Sequence, residues 1–198
     1  IERYKKSSVF LEQKENSCFT LNFPTGLRAD AIIVIKTSKI CDVLGARASG
    51  ASLSKTLGSR KAVASFCDHP YQNEIIFGFG MMDYKFSHHK SVSKNGKHSL
   101  RIFVENPDLS QKNYEVFQAI NAGIYFARDL TNEPSNILTT QEFSKRIKTL
   151  QKYGLIIHTL EERDLKKLGM NALLGVGLGS PSPTKVMIME WRGAGDTK

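Results

Sequence analysis

The segment at residues 128–136, RDLTNEPSN, limits the fold most, because it ends one helix and leads through a proline turn into another. The stretch before it, residues 110–129, repeats apolar residues at helical spacing, which predicts a long helix with one buried face (Tyr114, Phe117, Ile120, Ile124 and Ala127). Pro134 interrupts that helix, and Thr139 with Glu142 has the spacing of a capping box that begins the next one. The sequence therefore predicts two folded units joined at this segment.

Apolar runs on both sides of the segment alternate between strand-like and helix-like patterns, so we predict α/β architecture throughout. Strands are predicted at residues 18–23, 31–35, 62–66, 100–104, 155–160 and 185–191, and helices at 42–60, 74–85, 110–129 and 162–168. A further helix is predicted to begin at the capping box of Thr139 and Glu142 and to end at Gly154. The continuous β-branched run at residues 31–35 favours a strand buried on both faces, as in a parallel sheet.

The chain carries a formal charge of +9, part of it in residues 85–101, which hold five Lys or Arg, three His and no acid. Two interpretations remain open: a solvated basic loop, or a surface that binds nucleic acid. No apolar run is long enough for a membrane span, and the first residues lack the pattern of a signal peptide. The three separated cysteines (Cys18, Cys41 and Cys67) predict free thiols and a reducing, cytoplasmic location rather than a disulfide framework.

Tests for chemical motifs yield no catalytic, substrate-binding or metal-ligating residue. The glycines of residues 175–180 have GxGxG spacing and precede Pro181 and Pro183, so we expect a flexible turn rather than a nucleotide loop. His88 and His89 lack further ligands nearby, and His69, His98 and His158 are isolated in sequence. The acids Glu161, Glu162 and Asp164 are accounted for by the N-terminus of a short helix.

Several segments nevertheless resemble the leucyl (cytosol) aminopeptidase family. Arg128, Asp129, Asn132, Pro134 and Asn136 match the family's interdomain signature, whose role is structural rather than catalytic. Residues 79–86 resemble the helix that ends in a Tyr-x-Phe pair, residues 165–180 resemble its glycine-rich passage, and residues 190–193 resemble a strand end. The likeness covers roughly the last 120 residues well and the first 75 mainly in the order of elements.

The resemblance implies a macro-domain-like N-terminal α/β domain, a linking helix and the opening elements of an α/β metallopeptidase domain. We assign these to residues 1–109, 110–130 and 131–198. It also implies a cytoplasmic, hexameric enzyme that uses two divalent cations, Mn or Zn, to remove N-terminal residues, Leu favoured, from peptides. In such a site the cations act as Lewis acids and lower the pKa of the attacking water.

The family's ligand motifs, VGKG…FDxGG, a DMGGA-like segment and NTDAEGR, do not occur in this sequence. We therefore expect a portion of an aminopeptidase, shortened at both ends, that is inactive alone. Residues 35–39 also replace the family's usual Gly-x-Gly-Lys turn, which leaves the geometry of that loop open. Two alternatives remain: a basic module that binds nucleic acid or a nucleotide, and a domain that serves assembly only.

Overall fold

A computed structural model describes residues 6–65, 69–89, 99–103 and 107–193. The chain forms two compact units, Ile1–Ala127 and Arg128–Lys198. The predicted division at residues 109 and 130 stays a prediction. Within the described ranges, no helix combines the length and apolar character that crossing a membrane requires.

The first element that the structure describes in this unit is a short helix that the sequence did not predict. Helix α1 (Ser8–Glu12) is capped at its start by Ser7, whose hydroxyl accepts the Phe10 N–H at 3.3 Å. At its other end the Lys36 ammonium donates to the carbonyls of Phe10, Leu11 and Gln13 at 2.6–3.2 Å. A cation at the last carbonyls of a helix satisfies acceptors that have no partner within the helix.

Strands β1 (Ser17–Asn22) and β2 (Ala31–Lys36) form an antiparallel pair, with Ser17 opposite Lys36 and Asn22 opposite Ala31. The prediction of a parallel strand buried on both faces is therefore wrong for residues 31–35, because a connection that begins at Pro24 returns the chain beside β1. The Phe23 N–H donates to the Asp30 carbonyl at 2.7 Å and closes this connection. All of β2 is only half-buried.

The loop after β2 is held by the side chain of Asn16, which resolves the geometry that the sequence left open. The Asn16 Oδ1 accepts hydrogen bonds from the Ser49 hydroxyl at 3.1 Å and from the Ser38 N–H at 3.4 Å. Asn16 has a φ of 56°, a left-handed conformation that Asn adopts more readily than most residues.

The core of the first unit lies where helices α2 (Val43–Leu57) and α3 (Gln72–Met82) cross. Ala46, Leu53 and Ile75 are buried there, with half-buried side chains from β1 and β2 packed against them. The helices approach closely at two glycines. A Cβ on Gly50 would lie 1.9 Å from the Ile75 carbonyl oxygen, and one on Gly78 would lie 2.1 Å from that of Arg47.

Strands β3 (Lys61–Ser65) and β4 (Ser99–Phe103) form a parallel pair in the first unit, and the 26-residue helix α4 (Pro107–Asn132) follows. The predicted helix at residues 110–129 is confirmed, and its predicted buried face is found only in part. Phe117 and Ile124 are half-buried, whereas Tyr114, Ile120 and Ala127 are exposed. Phe117 lines a cavity together with Asn121 and Tyr125.

The second unit contains helix α5 (Thr140–Lys148), a 3-10 turn (Thr149–Tyr153), strand β5 (Ile156–Leu160), helix α6 (Glu162–Lys167), helix α7 (Asn171–Gly177) and strand β6 (Val186–Glu190). β5 and β6 pair antiparallel, with Ile156 opposite Glu190. Gly154 ends the 3-10 turn before β5 with a φ of 92°, and Gly169 follows the end of α6 with a φ of 70°. Both have the left-handed conformation that their predicted capping roles require. The α/β fold class predicted from the sequence is confirmed.

Candidate functional site

Helices α4 and α5 are connected by a joint, residues 128–140, that is built from backbone hydrogen bonds around Pro134. Helix α4 ends at Asn132, and the Glu133 N–H donates to the Asp129 carbonyl at 3.1 Å. The Pro134 carbonyl then accepts the N–H groups of Ile137 and Leu138, each at 2.9 Å. This turn places Thr139 as the N-cap of α5, where its hydroxyl accepts the Glu142 N–H at 3.3 Å.

Two of the five signature side chains, Arg128 and Asp129, are half-buried near the end of α4. The other three, Asn132, Pro134 and Asn136, are exposed. Their predicted structural role stays a prediction.

A cluster of charged side chains ties the joint to α5. Arg146 donates from Nη1 to Glu133 Oε1 at 2.8 Å and from Nε to Glu142 Oε1 at 3.1 Å. The side chain of Glu133 is only 1% exposed, while that of Arg146 is 23% exposed. The hydrogen bond to Glu133, followed by that to Glu142, raises the pKa of Arg146, so the guanidinium stays charged beside the buried carboxylate.

The predicted capping box at Thr139 and Glu142 is found only in part. Thr139 caps α5 by accepting the Glu142 N–H, whereas the Glu142 carboxylate accepts a hydrogen bond from Arg146 Nε. The Arg146 guanidinium, four residues further along the helix, competes with the backbone N–H at the helix start for the Glu142 carboxylate, because its hydrogen bond is charge-assisted.

The acids at the start of α6 bind the segment before β6. Glu161 accepts the Lys185 ammonium at 2.8 Å, and Glu162 accepts the Thr184 N–H at 2.9 Å. The Asp164 carboxylate accepts the Glu161 N–H at 3.1 Å and caps the helix. These carboxylates thus fix the path into β6, in addition to the helix-dipole role predicted from the sequence.

The glycine-rich passage is partly helical, contrary to the prediction of a flexible turn. Residues 171–177 form α7, since Ala172, Leu173 and Leu174 favour a helix despite the glycines around them. A Cβ on Gly177 would lie 1.8 Å from the Thr184 hydroxyl, so a glycine lets the segment before β6 pass close to α7. No helix begins between Gly177 and β6, so the last glycines of the passage do not lead into a helix N-terminus as they do in a dinucleotide loop.

An open cavity of about 420 Å³ lies between α5 and β6. Its walls are mainly apolar, with Thr139, Thr140 and Lys185 at the rim (the other lining residues are Leu138, Phe143, Ile147, Met187 and Met189). The Ser144 hydroxyl donates to Met187 Sδ at 3.1 Å and connects the buried face of α5 to the strand.

The end of β6 carries an exposed ion pair beside an aromatic ring. Arg192 Nε lies 2.6 Å from Glu190 Oε1, and this hydrogen bond lowers the pKa of Glu190. Trp191 is 64% exposed, and its ring lies 3.3 Å from where a Cβ on Gly154 would stand. Glycine at position 154 therefore serves both the left-handed backbone and the approach of the ring.

Among the described residues, the candidate metal ligands considered from the sequence do not come together. His88 and His89 are exposed, and the His88 ring stacks on Phe86 at 5.4 Å. Cys18 and Cys41 are free thiols, and burial is the main cause that raises the pKa of each. In the part of the chain that the structure describes, no group of three or more His, Cys, Asp or Glu side chains could hold a metal ion. His98 and Cys67 lie outside that part.

The basic segment at residues 85–101 is described only at its two ends, since residues 90–98 lie outside the described ranges. Its two interpretations, a solvated loop and a surface for nucleic acid, therefore both stay predictions.

Sequence reasoning missed the ion cluster of the joint. Glu133 is a variable position of the family signature. Arg146 lies 13 residues further along the chain, among lysines that the helical pattern places mostly on the solvent side. The only available signal was an acid placed directly before Pro134, and that signal does not identify its partner.

Comparison with known proteins places the second unit in a family. The sequence model of the cytosol aminopeptidase family, catalytic domain, matches residues 125–198. A probable cytosol aminopeptidase of Dinoroseobacter shibae is 36% identical over 196 residues, which are 99% of this chain and 40% of the relative. A probable cytosol aminopeptidase of Cereibacter sphaeroides is also 36% identical, over 98% of this chain and 40% of its own length. The chain thus spans about two fifths of the relatives that it matches.

Solved structures share the fold at lower identity. The bottromycin maturation enzyme BotP superposes with a TM-score of 0.72 at 20% identity, over 94% of this chain and 41% of BotP. A mutant of tomato leucine aminopeptidase gives a TM-score of 0.74 at 18% identity, over 89% of this chain and 38% of that enzyme. The sequence model of the family matches residues 125–198 and the curated relatives agree in sequence over nearly the whole chain, so this chain belongs to the leucyl (cytosol) aminopeptidase family.

Proposed function

We propose that this chain is part of a metal-dependent aminopeptidase that hydrolyses the N-terminal residue, Leu favoured, from peptides. One observation carries the proposal: the family match at residues 125–198 coincides with the compact unit Arg128–Lys198. The joint, the glycine-rich passage and the end of β6 all belong to this stretch, in the order that the resemblance implies.

Within that enzyme the 198 residues supply framework rather than reacting groups. The carboxylates of Glu133, Glu161 and Glu162 already hold Arg146, Lys185 and the backbone before β6. These contacts give each carboxylate a framework role, and the one at Glu133, 1% exposed, is a buried ion pair whose loss would cost about 3–5 kcal/mol. We propose that two divalent cations, Mn or Zn, are held by the family's ligand motifs, which this sequence lacks.

A structure of BotP contains Mn, which supports manganese as one of the cations. When bound, a cation pair polarises the scissile carbonyl and lowers the pKa of the attacking water. No step of that chemistry is assigned to a residue of this chain. We further propose a cytoplasmic homo-oligomer, a hexamer, that acts on peptides with a free N-terminus.

The proposal is tested by the hydrolysis of leucine amide with added Mn²⁺ or Zn²⁺. Two proteins are compared: this chain alone, and a chimera that continues it with the remaining part of the Dinoroseobacter shibae relative. We expect turnover by the chimera, its loss on chelation and none by the chain alone. Turnover by the purified chain, or a folded and metal-loaded chimera without turnover, contradicts the proposal.

A further inference from the structure

A second cavity, of about 370 Å³, lies within the first unit, between α3, β4 and α4. Its volume falls within the range of about 300–1,000 Å³ that is typical of small-molecule sites. It shares no lining residue with the cavity beside β6, and the aminopeptidase proposal assigns it no role.

One end of this cavity is apolar and aromatic. The rings of Phe77 and Phe117 stack at a centroid distance of 4.6 Å and a tilt of 22°, and Ile76 and Ile102 complete the wall. Such a wall favours the hydrophobic body of a ligand.

The other end is polar and is organised around Gly80. A Cβ on Gly80 would lie 2.5 Å from Asn121 Nδ2, so the absence of a side chain lets the Asn121 amide lie directly against α3. The Tyr125 hydroxyl donates to the Gly80 carbonyl, and the Asp83 N–H donates to the same oxygen at 3.1 Å. Asn121, Asp83 and Tyr125 therefore meet at one end of the cavity.

Asn121 points to what this end would bind. Its Oδ1 is buried and has no hydrogen-bond partner among the residues that the structure describes. A buried acceptor without a donor costs about 1–3 kcal/mol, so a ligand that supplies a donor gains affinity there. The Asp83 carboxylate, which also lines this end, favours a donor with a positive charge.

We propose that this cavity binds a primary ammonium carried on an aromatic or branched apolar body. The ammonium donates to Asn121 Oδ1 and lies beside the Asp83 carboxylate. The apolar body fills the space between Phe77, Phe117 and Ile102.

Phenethylamine is a suitable probe, and isothermal titration calorimetry with the full chain measures its binding. We expect a dissociation constant of about 0.1–1 mM, as suits a ligand of this size. Phenethyl alcohol keeps a donor but lacks the charge and should bind about ten-fold more weakly, because hydrogen bonds that involve a charged group are the stronger ones. Phenylacetate should not bind, since it brings a second carboxylate to Asp83.

Asn121→Leu removes the acceptor and keeps a similar volume. We expect phenethylamine affinity to fall about ten-fold or more, while the urea midpoint of unfolding stays unchanged or rises, because the free protein loses an acceptor that had no donor. A merely structural asparagine would instead lower the midpoint.

A matched pair of variants tests the location. Ala122 lines the cavity and Ala119 is an exposed residue of the same helix outside it. Ala122→Leu should abolish binding, and Ala119→Leu should leave it intact.

Three results overturn the proposal: no binding of phenethylamine, an alcohol that binds as tightly as the amine, or Asn121→Leu and Ala122→Leu proteins that retain the affinity of the parent chain.

Discussion

The contact between α2 and α3 offers a sharp test, because two glycines bring the helices together. Gly50→Ala would place a methyl carbon 1.9 Å from the Ile75 carbonyl oxygen and 2.7 Å from the Phe79 nitrogen. Real Cβ atoms essentially never come closer than 3.0 Å to a neighbour, so the helices must separate by about 1 Å. Gly78→Ala forces a similar separation, since its Cβ would lie 2.1 Å from the Arg47 carbonyl oxygen.

The expected cost follows from the core that this contact buries. A radial gap of about 0.5–1 Å forfeits roughly a quarter to a half of each van der Waals well, and a buried Leu makes about 40–60 such contacts worth about 0.1–0.2 kcal/mol each. Leu53 and Ile75, 6% and 1% exposed, both lie at this crossing. The higher helix propensity of alanine offsets about 0.5–1 kcal/mol of this loss in stability. We expect each variant to lower the free energy of unfolding by about 2–4 kcal/mol.

Urea denaturation followed by far-UV circular dichroism measures this loss, with Gly123→Ala as the matched control. Gly123 lies within α4, and a Cβ there meets nothing within 4 Å, so alanine should stabilise the protein by about 0.5–1 kcal/mol. The double variant at positions 50 and 78 should lose less than the sum of the single losses, because one separation relieves both clashes. Single variants as stable as the parent chain, or strictly additive losses, would refute the close-packed crossing.

Three further predictions concern polar contacts. Glu133→Gln should lower the free energy of unfolding by about 1–3 kcal/mol, because it replaces the buried carboxylate partner of Arg146 with a neutral amide and leaves Glu142 as its charged partner; an unchanged urea midpoint would contradict this. Lys36→Met should speed amide hydrogen exchange in residues 8–12, since the ammonium holds the last carbonyls of that helix, and unchanged exchange would argue against the cap. Burial lowers the pKa of His69, whose Nδ1 accepts the Tyr71 N–H at 3.2 Å, so its NMR titration midpoint should lie below 6.5. Its contribution to stability is then complete above pH 6.5 and falls as the pH drops toward the folded-state pKa, whereas a midpoint at or above 6.5 would refute this assignment.

The positions of most helices and strands could be predicted, because their apolar spacing is local information. Partners across the chain could not. The β-branched run of β2 reports burial and strand propensity, but only the connection from Pro24 to Asp30 makes it antiparallel to β1. Helix α7 was missed because its glycines lower helix propensity, while the approach of Thr184 to Gly177 depends on tertiary packing.

The same limit explains why the candidate sites were harder to predict than the fold. A search for apolar periodicity in α4 selects Ile120, which is exposed, and passes over Asn121, which is half-buried and lines the cavity. Polar residues on an inward face look like solvent residues in a sequence. They can be recognised as cavity residues only when the helix on the opposite side of the cavity is known, as the close approach of Asn121 to Gly80 shows.

The acids of the second unit show how a resemblance to an enzyme is compatible with carboxylates that serve as framework contacts. Glu133 holds the joint to α5 through Arg146, and Glu161 with Glu162 holds the path into β6 through Lys185 and the Thr184 N–H. Each tie fixes an element that leads toward the end of β6, where Trp191 packs on Gly154. Such ties position a framework to within the fraction of an ångström that metal chemistry requires of its ligands. If the proposed function is right, their loss should therefore lower turnover in the chimera without changing which metal it uses, and a Glu133→Gln chimera that altered the preference between Mn²⁺ and Zn²⁺ would show that this carboxylate does more than hold the frame.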